Sequence, residues 1–155
     1  MNVNHCLTEG GNFKMSKKIV VKLKDVANEL ETVNAEAYNF LNIETGEFIY
    51  YHEDFSDEDI DIEEFEDDKY IRLPSQYDIH EYKIMEEFVE QLEDVRKQNS
   101  LYRALSGRGA FRRFKDMLYE VGLEQKWYKY REQAFLEIAK NWCEEKGIPY
   151  EGEER

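Results

Sequence analysis

Cysteine is nearly missing from this sequence: Cys6 and Cys143 stand far apart and in unlike surroundings. That excludes a disulfide framework and is the usage expected of a chain in a reducing cytoplasm. Long apolar runs are missing too, and none approaches the ~20 residues that a helix needs to span a bilayer. The N-terminus has no charged segment leading into an apolar one, so neither secretion nor a membrane partner is expected. Histidine is scarce. His5, His52 and His80 are the three present, and none falls in a metal-ligand or nucleophile spacing such as H-E-x-x-H or G-x-S-x-G. Glycine loops of the Walker or Rossmann type are also missing. No catalytic residue, metal ligand or cofactor is therefore assigned, and the residues name no reaction. Positive charge is short as well: 21 Lys and Arg face 35 Asp and Glu, a net of −14. Such a balance argues against general affinity for nucleic acid or anionic membrane.

What is present begins with the core. Aromatic residues make up 14% of the chain and apolar residues 41%, enough for one buried core in a domain of this length. The charge is sorted along the chain. Residues 1–95 carry 25 acidic and eight basic side chains, whereas residues 96–131 carry ten basic and three acidic ones. A cationic island inside an acidic chain needs a partner, either the chain's own acidic stretch or something external.

Residues 1–14 show no periodicity, and Met15 opens Met15-Ser16-Lys17-Lys18 like a start. The expectation is a disordered leader over 1–14, not native if Met15 begins the protein and a genuine tail otherwise. A single α+β domain is expected over 15–150, with an acidic loop at 53–68 and a disordered tail at 151–155. Within it, a short extended lead-in precedes Leu23, Val26, Ala27 and Leu30, which repeat at helical spacing. Tyr38–Ile43 and Phe48–Tyr51 flank Glu44-Thr45-Gly46-Glu47, a hairpin pattern. Tyr70–Leu73 reads as a strand closed by Pro74. Asp78 is placed as N-cap of a helix bearing Ile84, Met85, Phe88, Val89 and Leu92. Leu101, Ala104 and Leu105 mark another helix. Ala110–Val121, stopped by Gly122, shows Phe111, Phe114, Met117 and Leu118 on one face, and Trp127–Glu145 ends before Gly147. The expected fold is a small antiparallel sheet in the N-terminal half and three to four helices in the C-terminal half.

The chemistry-bearing candidate is the corner 103–115. Gly107 and Gly109 bracket Arg108 just before a helix N-terminus, where backbone N–H groups favour an anion. Arg112 and Arg113 lie in that helix's first turn, where a cation opposes the dipole, so their presence suggests a specific anionic partner held by the guanidinium fork. Arg103 and Lys115 extend the patch, and Trp127 and Tyr128, with Tyr102 and Tyr130, are candidate stacking rings. The plain alternative is a helix–turn–helix corner whose glycines cap, whose Phe residues pack and whose arginines pair with internal carboxylates.

Taken whole, Ala104-Leu-Ser-Gly-Arg-Gly-Ala-Phe-Arg-Arg-Phe-Lys-Asp116, with Trp127-Tyr128 and Asn141-Trp142, is similar to uncharacterised protein family 0158 of small bacterial proteins. Leu41–Gly46 and Leu73-Pro74 fit the same pattern, and the resemblance runs from about Val20 to Ile148. It implies a shared fold and a bacterial protein, and brings no activity with it.

Eleven of the sixteen residues Glu53–Asp68 are acidic. Asp57, Asp59, Asp61 and Asp68 match calcium-loop positions, but Ile62 occupies the place that the loop reserves for glycine. A solvated acidic surface is the reading that survives. The expected function is thus a small cytoplasmic binding or regulatory protein, not an enzyme, which contacts an anionic ligand or nucleic acid through the corner. The alternatives are an interaction module whose acidic face mimics a nucleic-acid backbone and holds a basic protein, and an enzyme with an unrecognised site.

Overall fold

A computed structural model describes residues 19–33, 37–52 and 68–152. The leader and almost all of the acidic stretch lie outside the described residues. The chain divides into two compact units, residues 1–79 with 135–155, and residues 80–134.

In the first unit, β1 (Val21–Lys22) runs straight into α1 (Leu23–Leu30). Leu23, Val26, Ala27 and Leu30 are all buried, as their spacing predicts. β2 (Ala37–Asn42) and β3 (Phe48–His52) form the expected antiparallel hairpin, with Tyr38 opposite Tyr51 and Phe40 opposite Ile49. Its turn is held by Asn42, whose Oδ1 accepts from the Glu44 and Thr45 N–H groups at 2.9 and 3.3 Å. Gly46 supplies the left-handed residue at φ +82°. β4 (Tyr70–Arg72) adds to the other side of β2, giving the order β3-β2-β4. The outer edge of β4 is covered by Trp142, whose indole N–H donates to the Arg72 carbonyl at 3.1 Å.

Two boundaries differ from the sequence expectation. Asp78 does not cap the long helix. It closes a capping box on α2 (Gln76–Ile79): Ser75 Oγ accepts from the Tyr77 and Asp78 N–H groups, while Asp78 Oδ2 accepts from Ser75 N at 2.9 Å. α3 (Glu81–Glu90) starts only after His80, which takes the left-handed conformation at φ +55°. Glu151, placed in the tail by the sequence, belongs instead to β5 (Tyr150–Glu151), which pairs in parallel with β1. A two-residue strand has no period to read.

The second unit holds α3, α4 (Val95–Ala104), α5 (Ala110–Val121) and the first half of α6 (Glu124–Lys146). Asp94 caps α4, accepting from Lys97 N at 3.2 Å. The unit's core is an aromatic triad. Phe88 of α3, Phe114 of α5 and Trp127 of α6 meet edge to face, with centroids 5.1–6.5 Å apart. The α+β class is as expected, with the small antiparallel sheet in the N-terminal half and the helices α3–α6 in the C-terminal half.

Candidate functional site

The corner between α4 and α5 is built around Arg113. An α-helix leaves its last carbonyls without intrahelical donors, and α4 ends in a loop that turns back at once through Gly107 and Gly109. Arg113 supplies the missing donors. Its Nε donates to the Ala104 carbonyl at 3.2 Å, and its two terminal nitrogens donate to the Ser106 and Arg108 carbonyls. From α3, the Tyr82 hydroxyl donates to the Leu105 carbonyl at 2.7 Å. Every carbonyl from Ala104 to Ser106, with that of Arg108, thus has a side-chain donor. Gly109, at φ +69°, brings the chain so close that a Cβ there would lie 3.3 Å from the guanidinium.

This arrangement accounts for one of the charges that the sequence leaves unexplained. Arg113 opposes the dipole of α5, the helix that carries it, but sits at the C-terminal end of α4, where a cation is favoured. Its partners are backbone carbonyls and not carboxylates. Arg108 and Arg112 are exposed, and no side-chain hydrogen bond or ion pair holds either of them among the described residues. Arg103, in the last turn of α4, and Lys115, in α5, are also exposed. The neighbouring Arg131 belongs elsewhere: its Nε is 2.6 Å from a carboxylate oxygen of Glu81.

The rings sort differently from the sequence expectation. Trp127 is only 2% exposed and is a member of the core triad, so it cannot present a face to a ligand. Tyr130 packs on the same cluster, 5.3 Å from Phe88. Burial first, then the charges of Glu87 and Glu90, pushes its hydroxyl above the ordinary tyrosine value. Tyr128 and Tyr102 are exposed. The ring that belongs to the corner is Phe111. Sequence periodicity assigns it to the buried face, yet it is 51% exposed and lies against Tyr82, itself 39% exposed. The two ring planes are 12° apart with centroids at 6.5 Å. At about 100° per residue, position 111 falls at the margin of the stripe formed by Ala110, Phe114 and Leu118, and that margin was the signal available. Tyr82 lies 29 residues upstream, and nothing local ties it to the corner.

Other surfaces offer less. A groove of about 590 Å³ beside β4 is lined by Arg72, Asp78, Trp142, Glu145 and Lys146, among others, so its charges balance. Among the described residues no cluster of three or more His, Cys, Asp or Glu could hold a metal ion. Of the calcium-loop positions, only Asp68 lies within the described residues. His52 ends β3 with its ring 6.4 Å from Tyr50, and Cys143 is fully buried on α6. No described helix is long and apolar enough to cross a membrane.

Comparison with known proteins agrees with the resemblance drawn from the corner motif. The model of an uncharacterised protein family, UPF0158, matches residues 16–155. A curated UPF0158 protein of Pseudomonas aeruginosa is 24% identical over 134 residues, which cover 85% of this chain and 86% of the relative. No solved structure matches the chain.

Proposed function

The chain belongs to UPF0158, an uncharacterised protein family, so its role has to be argued from its own residues, and we propose a small cytoplasmic binding or regulatory protein whose basic corner receives a phosphate-bearing partner. The observation that carries this is a division of labour among the arginines. Arg113 is consumed in holding the loop, whereas Arg108 and Arg112 are exposed and have no partner among the described residues. A guanidinium on a fixed scaffold loses little freedom when it grips an oxyanion. No reaction is part of this reading.

Inorganic polyphosphate is the direct probe, because it carries phosphate and nothing else. Binding measured by titration calorimetry at about 50 mM salt should weaken about tenfold in the R108A/R112A double variant. It should also weaken steeply as salt rises. Equal binding by the double variant would refute the corner as the site.

One feature favours a second reading. Eleven acids in Glu53–Asp68 make a dense anionic stretch, suited to a basic protein partner. A variant with those acids replaced by Ser, Asn and Gln should lose polylysine binding and keep polyphosphate binding if both surfaces operate separately.

A further inference from the structure

Resting on the corner as an anion site, we propose that its ligand is single-stranded nucleic acid, one base of which stacks on the Phe111–Tyr82 pair. An oxyanion site alone gives no reason for a phenyl ring to stand in water. Phe111 is half exposed in the first turn of α5, and in the sequence it stands between two exposed cations: Arg108 precedes it by three residues and Arg112 follows it directly. Lys115, four residues on, lies on the same strip of the helix. The ring is not loosely placed. It is backed by Tyr82, whose hydroxyl is anchored at 2.7 Å to the Leu105 carbonyl of the loop that Arg113 clasps. An anchored, exposed aromatic pair on a cationic stretch of chain is the combination that binds single strands, with stacking on the base face and charge on the backbone.

The same combination discriminates among anions. A duplex keeps its base faces buried in its own stack, so it can meet the cations but not the rings. An acidic peptide can meet the cations but has no flat face to lay on Phe111. Sequence preference should be slight, because every base has a π-face and no groove at the corner reads base edges. Affinity should be modest and strongly salt-dependent, since three cations act against a chain of net charge −14.

The test is fluorescence anisotropy with labelled octauridylate and octathymidylate, a 12-base-pair duplex as comparison, and an octamer carrying 2-aminopurine to report stacking. F111L, which keeps apolar volume and loses the ring, should weaken single-strand binding about tenfold. It should also abolish the quenching of 2-aminopurine seen with the parent protein, while polyphosphate binding is unchanged. Circular dichroism of F111L should match the parent, so that the loss is not one of folding. Single-strand binding unaffected by F111L would overturn the proposal, and so would a duplex, or polyglutamate as competitor, binding as tightly as the octamer. In each of those cases polyphosphate binding lost in R108A/R112A leaves the anion corner standing. Polyphosphate binding that survives R108A/R112A removes the corner and this inference with it.

Discussion

Glu29 shows at the scale of one residue how burial sets a cost. It lies on α1, where its backbone carbonyl and a carboxylate oxygen both accept from the Asn39 amide, at 3.1 and 3.4 Å. Asn39 is itself buried, and its Oδ1 has no hydrogen-bond partner among the described residues. Burial first, then the charge of Asp25 one turn earlier, raises the Glu29 carboxyl above its ordinary 4.5. An acid with a raised folded value binds its proton more tightly in the native state. Its favourable contribution is therefore complete below the unfolded value and lost as pH rises through the folded one. Glu29→Gln should accordingly raise the melting temperature at pH 7 by a degree or two, with the gain vanishing below about pH 4.5. The same gain at both pH values would mean that the benefit is not one of ionisation.

Elements were legible wherever their signals were local. Ala110–Val121 is bounded by Gly109 and Gly122, both left-handed, and the sequence marks both ends. The hairpin follows from two aromatic runs about Gly46, and α1 from four apolar residues at helical spacing. What stayed hidden depends on partners distant in the chain. Tyr82 reaches the corner from another helix, and β5 exists only because β1 lies 129 residues before it. Arg113 reads as a misplaced charge until the end of α4 is seen to lie under it. At the corner, then, the sequence marked the two glycines and the helix start, put half-exposed Phe111 on the buried face and buried Trp127 among the stacking rings, and could not say which arginine was already engaged. The clasp itself is a property of the α4–α5 pair. Arg113→Ala leaves the carbonyls of Ala104, Ser106 and Arg108 without side-chain donors and should cost about 1–2 kcal/mol in urea denaturation. Arg113→Lys should recover little, because one ammonium cannot span three carbonyls. Full stability in the lysine variant would show that charge near the helix end suffices and that the fork does not matter.

At the scale of the whole molecule the deciding quantity is how its charges answer one another. Residues 1–95 carry a net −17 and residues 96–131 a net +7. If the acidic excess acts mainly on itself, the folded chain is held under repulsion that salt relieves. If the acidic stretch instead lies over the basic corner, the two attract, and salt weakens the fold. Raising sodium chloride from about 0.01 to 0.15 M shortens the screening length from about 30 to about 8 Å, enough to separate the cases. On the proposed role of the corner, in which Arg108 and Arg112 serve an outside partner, self-repulsion dominates. The melting temperature should then rise by about 2–4 °C over that range, equivalent to roughly 1 kcal/mol for a chain of this size. Polyphosphate binding should fall over the same range, so stability and binding respond to salt with opposite signs. A melting temperature that falls with salt, alongside binding that strengthens when Glu53–Asp68 is neutralised, would mean that the chain occupies its own corner and that any partner must first displace it.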